Sequence, residues 1–439
     1  MKYTPNPAAI VEEMLHSIGL NTMEDLFTDI PAQIQLKEGL KLPAGIGEME
    51  IRQQFQDLAG KNKNTQDYPC FLGAGAYDHY IPAALEQLLL RSEFYSAYTP
   101  YQPEISQGIL QSIFEYQTMI CMLTGMDVAN ASMYDGGSAL AEACNLAAIN
   151  SKRKKILLPD TIHPEYQKIL KTYSISQAME IILVPAKDGS ADIETLSGMI
   201  DKETAAVVIQ QPNFFGNLEE ISEIEQAIHK NKGFLIMAVD PVSLAVLKSP
   251  GEWGADIVVG DGQSLGNSLS FGGPYLGFFA TSGKFMRKLP GRVVGQTLDT
   301  HGKRAFVLTL QAREQHIRRE KASSNICSNQ ALNALTASIY LSLLGPKGLQ
   351  AVAARSHQMA VYARGELEKA GLKLKYSRPY FREFAVLMDN PAAMNKRLLE
   401  NGIIGGYELE DAMLLAFTEK RKRAEIDRLV AVLGGKTDV

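Results

Sequence analysis

The stretch "GADIVVGDGQSLGNSLSFGGPYLG", Gly254 to Gly277, decides the reading of the fold. An apolar strand, "DIVV", runs into a polar loop punctuated by glycines, the layout that presents a reactive side chain at the carboxyl end of a parallel strand. Yet no lysine, cysteine or histidine lies between Ser249 and Gly283. The loop has the form of a catalytic element and lacks a catalytic group.

Outward from that loop, between Lys155 and about Thr281, short apolar runs alternate with helical ones. The apolar runs are "ILLP", "IILVP", "AAVVIQQP", "FLIMAVD", "DIVVG" and "GFFAT". Each is too short for a helix and nearly continuous in hydrophobicity, as strands buried on both faces must be. Between them, "HPEYQKILKTYSI", "DIETLSGMI" and "EEISEIEQAIHKNKG" carry helical spacing. Such alternation predicts βαβ units and a parallel sheet with helices on both faces. After Arg319 the pattern becomes long helices, one strand-like run "FAVLMD" and a closing helix near Glu425 to Leu433. The expected organisation is a helical arm over 1–65, a large α/β domain over 66–335 and a smaller C-terminal α/β domain over 336–439.

Bulk properties narrow the partners. The 439 residues carry a net charge of -5, which argues against nucleic acid, because neutralising phosphates needs clustered Lys and Arg. The two basic runs, "KRKK" at Lys152 to Lys155 and "KRKR" at Lys420 to Arg423, border a strand and a helix and read as solvated element ends. The four cysteines lie far apart with no C-x-x-C, so neither a zinc site nor a disulfide framework is indicated. No signal-peptide core and no run of about 18 apolar residues is present, so a cytoplasmic protein with no membrane partner is expected.

Three strand ends carry candidate chemistry. "YDGGSALAEA" sets Ser138 and two glycines at the start of an alanine-rich helix, where free N–H groups suit a phosphate. "IMAVDPVSL" places Asp240 at the end of a strand, where an acid can keep a pyridinium nitrogen protonated. Either feature alone reads as a helix cap or a turn. One strand later, the glycine-rich loop places Ser264 where a Schiff-base lysine belongs in this layout, that of a pyridoxal-phosphate enzyme of fold type I.

"YTPYQPEISQG" (Tyr98 to Gly108), "MDVANASMYDGGSALAEA", "FGGPYLGFFAT" and the run from Leu289 to Cys327 occur in order, and together they resemble the glycine cleavage system P-protein family. The similarity spans nearly the whole chain and is greatest with the first, lysine-free half of that family's double-length members. The resemblance implies the pyridoxal-phosphate-dependent transferase fold type I and a role as the non-cofactor (α) subunit of a glycine dehydrogenase. In that role the α and β subunits together decarboxylate glycine and pass the aminomethyl group to the lipoyl H-protein. It places pyridoxal phosphate and its lysine on a partner β subunit, leaving Ser138, Asp240 and Ser264 as degenerate-site positions here.

Fold type I sites form at a dimer interface, so this chain's contribution is expected from "YTPYQPE". Tyr98, Tyr101, Gln102 and Glu104 on a proline-stiffened loop are side chains to lend to the partner's site. The alternative for that loop is a polyproline-II surface segment with buried tyrosine rings. Arg313, His316, Arg318 and Arg319 of "REQHIRREKASSN" read as a solvated helix face, or as facing a phosphate or an acidic carrier. His79 reads as a structural histidine. Two further readings of the whole chain stay open: a catalytically inactive scaffold, and an autonomous pyridoxal-phosphate aminotransferase or decarboxylase using Lys284 or Lys288.

Overall fold

The computed structural model describes residues 6–36, 38–322, 324–327 and 329–435. They form two compact units, Met1–Lys63 and Asn64–Val439. The first carries helices α1 (Ala8–Ser17) and α2 (Glu48–Ala59), the latter started by Glu50, whose carboxylate accepts from the Gly47 amide at 3.1 Å. Ile10, Met14 and Ile18, the apolar stripe read from the sequence, are 42%, 52% and 62% exposed, so the stripe forms no core within this unit.

The second unit is built on a seven-stranded sheet. Its strands are β1 (Val128–Ala129), β2 (Lys155–Pro159), β3 (Glu180–Val184), β4 (Thr204–Gln211), β5 (Phe234–Val239), β6 (Ile257–Asp261) and β7 (Gly277–Thr281). They lie in the order β1-β7-β6-β5-β4-β2-β3. Side chains alternate across the sheet: Val207, Ile209, Leu235 and Met237 enter one core, Ala206, Val208, Ile236 and Ala238 the other. Helix α5 (Gly136–Ser151) covers the second face, its Ala139, Leu140, Ala143 and Ala147 fully buried; α4 (Gln107–Thr124) contributes Tyr116 and Ile120 to the first.

One strand departs from the expected parallel order. β7 runs antiparallel to β6, pairing Ile257 with Thr281 and Asp261 with Gly277, and antiparallel to β1. A parallel crossover must carry the chain back along the full strand, normally through a helix. Between Asp261 and Gly277 there is no α-helix; the chain turns on itself through positive φ at Gly266, Ser270, Phe271, Gly272 and Gly273 and re-enters from the end it left.

A hairpin of β8 (Val293–Leu298) and β9 (Arg304–Thr309) packs on α4. The C-terminal sheet has the order β10-β12-β11 and is antiparallel, from β10 (Glu383–Leu387), β11 (Tyr407–Glu408) and β12 (Ala412–Ala416). A 39-residue helix, Ala331–Lys369, runs across the boundary expected at 336. It bends at Gly345 (φ 60°), just before Pro346. Its first part buries Ala334, Ala337 and Tyr340 against the large sheet; its second buries Met359, Ala363 and Leu367 against Phe384 and Leu415.

Candidate functional site

The carboxyl ends of β4, β5 and β6 meet a small cavity of about 40 Å³, bordered by Gln210, Asp240, Asp261 and Ser264 from the large sheet and by Arg382 and Glu383 from β10 and the residue before it. Ligand pockets for small molecules usually measure roughly 300–1,000 Å³. This space has room for no more than a few waters, at about 10–15 Å³ of such volume each.

The reason is visible residue by residue. Asp240, at the end of β5, faces the guanidinium of Arg382, with Oδ2 2.6 Å from Nη2 in a close ion contact. Its Oδ1 accepts from the Val242 amide at 3.0 Å. The same guanidinium lies 3.7 Å from the centre of the Tyr77 ring, and its Nη1 donates to His79 Nε2. Because Nε2 accepts, the His79 proton is on Nδ1, which donates to Glu419 Oε2 at 2.6 Å. Burial, and then the Arg382 charge, push the His79 pKa down. His79 is thus structural, as expected.

Beside it, Glu383 Oε1 accepts from the Ala74 amide at 2.6 Å and Oε2 from the Tyr77 hydroxyl at 2.8 Å. Burial raises this carboxyl to about 7.

The helix start expected to cradle phosphate is filled in a similar way. Asp135 caps it, Oδ1 accepting from the Ser138 amide at 2.7 Å, while Asp261 Oδ2 accepts from the Gly136 amide at 3.2 Å. Desolvation lifts Asp261 to about 7. The Tyr166 hydroxyl lies so close over Gly136 that a Cβ there would stand 2.0 Å from it. Tyr166 is in turn stacked on His163, which starts its helix (Pro164–Gln177), accepts from the Glu165 amide and donates from Nε2 to the Ala74 carbonyl at 2.8 Å.

Pyridoxal phosphate does not fit these residues. Its anion position is filled, its nitrogen partner is engaged, and no lysine borders the cavity among the described residues. Ser264, 3% exposed, borders the cavity where the lysine was expected. Lys284 pairs with Asp256, just before β6 and so at the opposite edge of the sheet, and Lys288 with Asn150 at the far end of α5. Among the described residues no group of His, Cys, Asp or Glu is placed to hold a metal, and no helix is long and apolar enough to cross a membrane.

Residues 1–433 match the family described as glycine cleavage system P-protein. The chain belongs to the P-protein family. A protein of Syntrophomonas wolfei named probable glycine dehydrogenase (decarboxylating) subunit 1 is 65% identical over 99% of this chain and 100% of its own length. A Bacillus subtilis protein of the same name is 50% identical over 99% of each. The crystal structure of an inhibitor-bound glycine decarboxylase (P-protein) of the glycine cleavage system superposes with a TM-score of 0.92 at 41% identity, covering all of both chains. Structures of a Burkholderia pseudomallei sphingosine-1-phosphate lyase and of mouse CSAD, each at a TM-score of 0.68 and 14% identity, share the fold, pyridoxal-phosphate-dependent type I.

Within this P-protein fold, the segment Tyr98 to Glu104 is placed on the surface and does not border the cavity. Tyr98 is 87% and Tyr101 47% exposed, so the reading with buried rings fails for both. Gln102 and Glu104 are exposed as well, Glu104 within a short turn, Pro103–Ile105. The segment is held at its ends: Pro100 is buried, and Gln107 exchanges two hydrogen bonds of 2.9 Å with the backbone of Phe306 in β9.

Tyr101 is held by a residue the sequence did not single out. Arg292, 5% exposed, donates from Nη2 to the Tyr101 hydroxyl at 3.0 Å and from Nη1 to the Cys327 carbonyl. Buried Glu314 lies 3.9 Å from Arg292 Nε, and His316 packs edge-on to the Tyr101 ring.

The solvated helix expected over "REQHIRREKASSN" is corrected in part. Among its described residues only Gln315–Arg318 is α-helical, Arg319 has φ 54°, and Arg313 turns inward to the Leu289 carbonyl; His316, Arg318 and Arg319 are exposed. One arginine of each basic run is tied into the fold, Arg153 half-buried and Arg421 buried. Arg153 donates to the Thr204 and Asn231 carbonyls, and Arg421 pairs with Asp78 at 3.1 Å.

Proposed function

We propose that this chain is the non-cofactor subunit of a heteromeric, cytoplasmic glycine dehydrogenase (decarboxylating), acting with a lysine-bearing second subunit. The observation that carries the reading is the cavity itself: a fold type I site without a lysine, filled by Arg382, Tyr166 and Asp261, in a chain 65% identical to a subunit 1. The name subunit 1 implies a subunit 2. Pyridoxal phosphate held on that partner would supply the electron sink for the electron pair left on glycine when its carboxylate departs as carbon dioxide. The aminomethyl group would then bond to one sulfur of the lipoyl disulfide of the H-protein, the other sulfur leaving as a thiol.

This chain's part is positional. Tyr98, Tyr101, Gln102 and Glu104 are lent to the partner's site, where a fixed phenol and a carboxylate orient glycine or a water. The Tyr101 oxygen accepts from Arg292, which leaves its own proton to be donated outward. Arg292 is a positioning residue in this scheme.

The test is reconstitution. The chain alone, incubated with pyridoxal phosphate and borohydride, should yield no pyridoxyl-lysine; a labelled lysine would overturn the assignment. With the second subunit and lipoylated H-protein added, Tyr101→Phe and Glu104→Gln should each slow glycine decarboxylation by at least ~10-fold. Unchanged rates in both would leave the scaffold reading.

A further inference from the structure

We infer that the chain's own side chains have taken over the two charged positions of a cofactor, and that the resulting contacts lock the C-terminal sheet onto the large sheet. The inference rests on the non-cofactor reading above. The Arg382 guanidinium carbon lies 3.7 Å from the centre of the Tyr77 ring, and one guanidinium nitrogen is 2.6 Å from Asp240 Oδ2 in an ion contact. A protonated aromatic nitrogen heterocycle presents the same two features, a cation against a ring and a positive nitrogen beside a strand-end carboxylate. Asp261 occupies the anion position at the α5 start through the Gly136 amide.

The origins of these groups make the site a lock. Asp240 and Asp261 end strands of the large sheet, while Arg382 directly precedes β10 of the C-terminal sheet. Arg382 is 1% exposed and runs on through His79 to Glu419, which follows β12. A charge this deeply buried is tolerable only with its partners in place, so deleting Arg382 from one sheet leaves Asp240 of the other without its counter-charge. The position therefore accepts one chemical class of occupant, a small planar cation.

Chemical rescue in the full-length chain tests this. Arg382→Ala should lower Tm by about 5 °C or more. Methylguanidinium at millimolar concentration should restore most of that loss, whereas tetramethylammonium at equal ionic strength should not. Adding Asp240→Ala to Arg382→Ala should abolish the rescue. Should Arg382→Ala not fold, Asp240→Asn serves instead, and hydrogen exchange should then rise in Glu383–Leu387 while the strands far from the cavity stay protected.

A Tm within 1 °C of wild type for Arg382→Ala overturns the lock, as does equal rescue in the double variant, or unchanged exchange in Asp240→Asn. The borohydride experiment separates the two claims. A pyridoxyl-lysine would sink the non-cofactor reading, whereas no adduct together with an unaffected Arg382→Ala sinks only the lock.

Discussion

The hydroxyl of exposed Tyr101 accepts a hydrogen bond of 3.0 Å from the buried guanidinium of Arg292. A surface phenol is thereby fixed from beneath, its orientation set by a side chain that is itself only 5% exposed. Arg292→Lys keeps the charge but loses the planar fork that bonds Tyr101 and the Cys327 carbonyl together. In the reconstituted complex, kcat should fall by roughly 10-fold with a smaller change in KM for glycine. Combining Arg292→Lys with Tyr101→Phe should cost little beyond Tyr101→Phe alone, because both remove the same oriented group. Fully additive losses would show that Arg292 acts elsewhere.

Asp261 titrates near 7 because desolvation disfavours its charge. A carboxyl whose folded pKa is raised binds its proton more tightly in the folded state, so stability is fullest below the unfolded value near 3.8 and declines as pH rises toward 7. Asp261→Asn removes the charge and keeps one acceptor oxygen, so only one of the Gly136 and Gln263 amides stays bonded at any pH. The Tm difference between Asp261→Asn and wild type should move in the variant's favour by a few °C as pH rises from about 4 to 7 and level off above that. A difference that does not change with pH would contradict the assignment.

His79 has the opposite sign. Its pKa lies below the ordinary value of 6.5, so the stability it contributes is present above 6.5 and is lost as pH falls through its folded pKa. His79→Gln should be less stable than wild type at pH 7.5, by about 1–3 kcal/mol for a buried partner left unsatisfied. That gap should narrow steadily toward pH 5 in thermal melts.

Gly136→Ala would bring a Cβ to 2.0 Å from the Tyr166 hydroxyl and 3.2 Å from the Asp261 amide. Overpacking of this kind costs about 1–3 kcal/mol. Urea unfolding should detect it, and a loss below 0.5 kcal/mol would mean that the helix start is not filled by Tyr166.

Lys284 and Lys288 are engaged by Asp256 and Asn150, away from the cavity. Replacing either by Met should leave reconstituted glycine decarboxylation within about 2-fold of wild type. A large loss of activity would reopen the autonomous-enzyme reading.

The amino-acid sequence alone determined the alternation of strand and helix from Lys155 to Thr281, because burial on both faces imposes continuous apolar runs and helices impose a 3.6-residue period. It also placed Ser138, Asp240 and Ser264 at strand and helix ends, and motif resemblance pointed to the P-protein family. The direction of β7 escaped it, since "GFFAT" reads identically either way and only the helix-free return from Asp261 decides the pairing.

What fills the cavity was decided by tertiary structure. Arg382 stands next to an ordinary apolar strand in "FREFAVLMD", 142 positions from Asp240 in the chain, and "HPEY" looks like any helix start. Local pattern carries burial and period, which are properties of neighbours in sequence. Ion pairs between residues from different sheets, and a phenol closing over a glycine, depend on distances that exist only once the chain has folded.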